Sequence, residues 1–235
     1  MNEFWQATGT ALALLARGDQ QLVEIILLSL RVSLTAVLIA TLIALPIGAM
    51  AALFRFPGRR VLVVCLNALM GLPPVVVGLI VYLLFSRSGP FGVFGLLFTP
   101  TAMIIAQVIL VVPIIASLAR QVMEDLWLEY REQLQSLGVP PLRRLSVLLW
   151  DSRFTLVTAV LAGFGRASAE VGAVMIVGGN IDHVTRVMTT AIALEASKGD
   201  LPMALGLGII LLLLSLAVNL AAHLLKELSH SRYAA

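Results

Sequence analysis

Apolar residues gather in five long runs, at 32–54, 61–85, 99–119, 154–179 and 202–225, with shorter polar connections between them. Each run can cross a hydrocarbon core that needs about 20 apolar residues. Each must be helical there, because lipid offers the backbone no hydrogen-bond partners. Three runs carry interior breakers, Pro46 with Gly48, Pro73 with Pro74, and Pro113, which a bundle tolerates where neighbouring helices satisfy the freed carbonyls. The stretch 4–16, starting beside Trp5, is too short to span and is expected to lie at the membrane interface. A sixth, marginal span forms if residues 23–30 join it. This gives an N-terminal interfacial or periplasmic segment, 1–31, and an all-α transmembrane domain, 32–235. Within that domain lie a polar hairpin at 120–153 and an outer loop at 180–201.

The hairpin departs most from the apolar pattern. The run ARQVMEDLWLEYREQLQSLG places Leu118, Val122, Leu126, Leu134 and Leu137 at helical spacings with charged residues between them. Gly138 can take the left-handed conformation that ends a helix, and Pro140 and Pro141 suit the start of the next. The following PLRRLSVLLW reads as a short basic amphipathic helix. A helix, a tight turn and a second helix are therefore expected to stand off the membrane.

Composition agrees with a polytopic membrane protein. Of 235 residues, 60% are hydrophobic and 12% charged, and the mean hydropathy is +1.00. A net charge of +3 is compatible with nucleic acid, but the arginines are scattered between apolar runs without interleaved aromatics, which argues against it. The distribution of basic residues sets an orientation. With the N-terminus outside, ten fall inside (Arg55, Arg59, Arg60, Arg120, Arg131, Arg143, Arg144, Arg153, Lys226, Arg232), and five outside (Arg17, Arg31, Arg87, Arg186, Lys198). The C-terminus is then inside, and Arg166 alone sits at membrane depth. The absence of a basic n-region and of a small-residue cleavage site before the first long run argues against a cleaved signal peptide. A single cysteine, Cys65, lies in an apolar stretch and reads as a small buried hydrophobe.

Glu132, Gln133, Leu134 and Gly138 match the spacing of the E-A-A-x-x-x-G loop of ABC importer permeases. Gln133 and Leu134 replace the two alanines, and Leu149 and Trp150 replace the closing Leu-Pro. The resemblance extends from LRVSLTAVLIATLIALPIG through GLPPVVVGLIVYLLFSRSGPFG to GFGRASAEVGAVMIVGGNIDHVTRVMTTAIALEASKGD. Within the oxyanion group, which includes molybdate and sulfate permeases, these stretches are most similar to tungstate-type permeases. The resemblance implies a type I importer permease fold in the inner membrane and a homodimer, with separate ABC ATPase subunits binding ATP and Mg. It also implies a solute-binding protein that delivers the anion. It assigns ATPase coupling to Glu132, Gly138, Val139, Pro140, Arg143 and Arg144.

Arg166 and Glu170, four apart in the fourth run, would share a helix face and neutralise each other, or act with Pro73 and Pro74 as pathway or gate elements. Gly163, Gly165 and Gly172 would let helices approach closely. The stretch 184–196 reads as a helix over the outer mouth, a surface for a binding protein or a plain capping loop. His183 beside Asp182 lacks further ligands at metal spacing and reads as an ordinary loop histidine. A membrane-embedded enzyme would need a nucleophile, base or metal cluster, and the chain carries no such motif. A passive channel would leave the hairpin without a purpose. No G-x-x-x-x-G-K-[ST] loop is present, so an ATPase must be a separate protein.

Overall fold

The computed structural model describes Gly9 and residues 20–233, with side chains through Ala221. The interfacial stretch 4–16, Arg17, and the side chains of His223, Lys226, His230 and Arg232 lie outside the described residues. The described chain is helical: α1 (Gln20–Leu53), α2 (Arg59–Leu69), α3 (Pro74–Phe85), a 3-10 turn (Gly92–Phe94), α4 (Pro100–Ser136), α5 (Pro141–Asp151), α6 (Arg153–Ser168), α7 (Gly172–Gly178), α8 (Met188–Lys198) and α9 (Leu201–Tyr233). Among the described residues three helices are long and apolar enough to cross a membrane, and up to five spans result if each of two broken pairs counts as one.

The side chains are sorted as in a lipid-embedded bundle. On α1, Ala36, Ala40 and Ala44 are fully buried, while Leu34, Leu38 and Leu42 are more than half exposed. Small residues inside let backbones approach, and large apolar residues outside suit a solvent as apolar as leucine. An aqueous surface would not carry such a stripe.

The expected spans meet these helices unevenly. Residues 20–31 are already helical, so the helix that carries the first span starts twelve residues earlier, in an unbroken α1 of 34 residues. The third span and the first arm of the hairpin are one helix, α4, of 37 residues. At 1.5 Å per residue it measures about 55 Å, well beyond a hydrocarbon core of about 30 Å. The second run is two helices, ended at Leu69 and restarted at Pro74, where proline at the first helical position needs no N–H partner. The fourth run is also two helices, separated by residues 169–171.

The chain divides into two compact units. Within the described residues, the first draws on the chain up to Ala36, Pro73–Gln107 and Arg166–Ala217, and the second on Val37–Leu72, Val108–Gly165 and the chain beyond Ala217. The first has a core of Leu22, Ile25, Met188, Ala191 and Leu207. In it α3 and α7 pack almost backbone to backbone: a Cβ on Gly78 would stand 2.8 Å from Ala173 Cα. The second has a core of Ala49, Ala52, Met123 and Leu148, flanked by Trp127, Leu134 and Leu145. There Pro46 and Pro113 lie inside helices that continue past them. Gly48 allows the close approach, since a Cβ there would stand 2.5 Å from the Ala116 carbonyl oxygen.

Candidate coupling hairpin and buried ion pair

The hairpin is built around the end of α4. Gly138 has φ +64°, and nothing would meet a Cβ on it within 4 Å. The Gly138 N–H donates to the Gln135 carbonyl at 3.0 Å and the Val139 N–H to the Leu134 carbonyl at 3.1 Å. These are the two bonds of a Schellman stop, which satisfies the last carbonyls of a helix without help from other elements. Pro140, extended at φ −65° and ψ 151°, then caps α5. The Arg144 Nε donates to the Val139 carbonyl at 2.6 Å, and its guanidinium lies 5.9 Å from the Trp127 ring centroid, which fixes the turn on the α4 side.

The α5 helix seats Leu148 in the core and leaves the tip apolar: Leu137 and Leu142 are 77% and 78% exposed. Leu137 therefore does not join the buried face that its spacing suggested, because it lies past the last helical residue, Ser136. Glu132 and Arg143 are exposed. Tyr130, Leu134, Val147, Leu148 and Trp150 line an adjacent groove of about 430 Å³. All six coupling candidates thus lie on one hairpin, and α5 and α6 meet at a bend of 73°.

The ion pair is built differently. Arg166 sits in the last turn of α6, whereas Glu170 lies beyond its end. The two do not share a helix face as the spacing suggested. Glu170, 3% exposed, folds back to accept from Arg166 Nη1 at 2.5 Å. Its other oxygen accepts from the Ala173 N–H at 3.0 Å, supplying α7 with a carboxylate at its N-terminus. The Glu170 carbonyl accepts from the Thr189 hydroxyl at 2.8 Å, and the Ala167 carbonyl from Gln107 Nε2 at 3.1 Å. The break is therefore a joint in which side chains stand in for missing helix bonds, although the Gln107 Oε1 is buried without a hydrogen-bond partner. Gln107 and Thr189 were not legible from spacing, since their partners lie far away in sequence.

The glycines divide. A Cβ on Gly163 would fall 2.7 Å from Ile115 Cδ1 and one on Gly172 2.8 Å from Val75, whereas one on Gly165 meets nothing within 4 Å. Close approach explains the first two only. Cys65 is exposed rather than buried, because α2 buries Leu66 alone.

In the outer loop α8 starts at Met188, four residues later than expected, after a turned segment held by the Thr185 hydroxyl donating to the Gly178 carbonyl at 2.6 Å. His183 does have a partner: its Nδ1 lies 2.6 Å from Glu24 Oε2. That hydrogen bond, then the charge of Asp182, raises its pKa above the usual imidazole value. Among the described residues no cluster of three His, Cys, Asp or Glu could hold a metal.

Residues 44–234 match the family described as binding-protein-dependent transport system inner membrane component. The chain is 42% identical over 217 residues to the tungstate uptake system permease protein TupB of Peptoclostridium acidaminophilum, covering 92% of this chain and 95% of that protein. It is 37% identical to the protein of the same name from Campylobacter jejuni, over 92% and 91% of the two chains. To the sulfate transport system permease protein CysT of Salmonella typhimurium it is 29% identical, over 74% and 65%. The apolar helices, the hairpin and these matches together establish that the chain belongs to the binding-protein-dependent transport system inner membrane components, as a multi-pass membrane permease subunit.

Proposed function

We propose that the chain is the permease of a tungstate importer and that its hairpin is the handle by which a separate ABC ATPase drives it. The observation that carries the coupling role is the Schellman-ended hairpin, whose tip holds Leu137 and Leu142 in the open. Exposed leucines on a rigid helix pair away from a lipid-facing stripe suit insertion into a protein cleft. Arg143 and Glu132 flank the tip with charge that would orient the partner. In this reading two copies enclose the pathway, ATP and Mg bind the ATPase subunits, and closure of those subunits drives the hairpins between inward-facing and outward-facing states. The N-terminus then lies outside and the hairpin and C-terminus inside, as the basic residues suggest.

Arg166 is engaged by Glu170, so its guanidinium serves as a fixed joint of the pathway wall rather than a free anion ligand. Pro73 and Pro74 supply a second break, between α2 and α3. The oxyanion is read from the relatives named for tungstate uptake, which share far more of this sequence than the sulfate permease does. Uptake into vesicles holding this permease with its ATPase and binding protein tests the assignment. Tungstate should be accumulated in preference to molybdate and sulfate, and ATP-dependent accumulation of sulfate or molybdate alone would overturn it.

A further inference from the structure

Away from the hairpin tip, one ion-pair cluster, Arg59, Arg120 and Glu124, links three helices within the second unit. Arg59 Nη2 donates to Glu124 Oε1 at 2.5 Å, and Arg120 Nη1 donates to Glu124 Oε2. Arg59 also donates from Nε to the Ala51 carbonyl oxygen at 2.6 Å. Ala51 lies in the last turn of α1, Arg59 is the first residue of α2, and Arg120 and Glu124 stand one turn apart on α4. Exposed ion pairs of this kind usually hold little, because water screens them. This one is partly withdrawn from water, with Arg59 and Glu124 each 33% exposed and Arg120 12%. The Arg120 Nε is buried without a hydrogen-bond partner, so that guanidinium depends on Glu124 for compensation.

The helix that Glu124 holds is lightly packed within its unit, with Leu62 and Val63 half-buried. Of the eleven residues of α2, Leu66 alone is buried. The backbone turn before it ends at Gly58, with φ +89° and nothing near its Cβ position. Beyond Glu124, in contrast, α4 runs unbroken to Ser136 and the Schellman turn. A displacement of the hairpin therefore reaches Glu124 along a rigid helix, and the doubly bonded Arg59 is a route by which it can continue into α2.

Resting on the coupling role given to the hairpin above, we propose that Glu124 is a positioning residue that passes hairpin movement to α2 through Arg59. The chain supplies its own reporter, since Cys65 is its single cysteine and is free and exposed on α2. The purified permease is labelled there with an environment-sensitive thiol dye, assembled in nanodiscs with its ATPase and binding protein, and given ATP and Mg. In the unmodified protein the emission should shift on nucleotide addition. Glu124→Gln keeps the shape and removes the charge. It should reduce both that shift and the tungstate-stimulated part of ATP hydrolysis by about tenfold, within the range of coupling effects exerted by single residues, while the ATPase stays bound and basal hydrolysis persists.

Arg59→Lys, which keeps the charge but cannot serve Glu124 and the Ala51 carbonyl from separate nitrogens, should show the same loss if Glu124→Gln fails to assemble. A wild-type response in either assembled variant overturns the proposal. An unmodified complex that holds its ATPase but shows no shift at Cys65 overturns it while leaving the hairpin's role intact. A permease that never binds the ATPase overturns both.

Discussion

Two helix ends, at Gly138 and at Ser168, stop for opposite reasons. The first closes on its own backbone, with a left-handed glycine, two local bonds and no neighbour at its Cβ position. The second has one local backbone bond, from the Glu170 N–H to the Ala167 carbonyl, and leans on the side chains of nearby Glu170 and distant Thr189 and Gln107, in a site where Glu170 is 3% exposed. A self-contained stop can be displaced as a piece, which suits a handle. A stop shared among several elements cannot move without leaving buried polar groups unpaired, which suits a fixed joint.

The sharpest way to break this contrast is to remove Glu170. Glu170→Ala strands a partly buried guanidinium and uncaps α7, and should cost about 3–5 kcal/mol, the range for breaking a buried pair from one side. Folded yield and the melting temperature in detergent measure it. Glu170→Gln retains an oxygen for the Ala173 N–H and should lose less. If both variants melt like the unmodified protein, the joint is not structural.

The paired glycines of the same run sharpen the comparison at smaller scale. Gly163→Ala would press a Cβ to within 2.7 Å of Ile115 and should destabilise by about 1–3 kcal/mol, as overpacking does. Gly165→Ala, with open space at its Cβ position, should be neutral or stabilise by up to about 1 kcal/mol through helix propensity. Equal melting shifts for the two would refute the packing assignment.

The sequence was most informative where the physics is local. Gly138 followed by Pro140 and Pro141 announced a helix stop and restart because each residue acts on its own backbone, and the structure supplies both. The length of the apolar runs announced membrane helices for the same reason. What stayed hidden depends on distant partners. Arg166 and Glu170 were readable as a pair, but not as a pair straddling a helix break, since the break is held by Gln107 and Thr189. Arg120 and Glu124 are one turn apart and could have been paired from spacing, but Arg59 reaches them only through the fold. Cys65 is exposed despite its apolar surroundings, because an apolar run does not reveal which side of a short helix packs inward.

The smallest expected effect belongs to the outer loop. The Glu24 hydrogen bond raises the His183 pKa, so the folded state favours the protonated ring. Its stabilisation is fully present below the ordinary imidazole value of about 6.5 and fades as pH rises through the raised value. The melting temperature should therefore fall slightly over that interval, and His183→Ala should flatten the change. An unchanged pH profile in the variant would remove this role.

On the proposed function, movement enters the permease through the Gly138-ended hairpin. Gly138→Val forces a β-branched residue into the left-handed region, disfavoured by about 1–2 kcal/mol or more, at a position where an added Cβ meets nothing within 4 Å. In the reconstituted complex, tungstate-stimulated ATP hydrolysis should be lost while membrane insertion and folded yield remain normal. Stimulation at the unmodified rate would contradict the account.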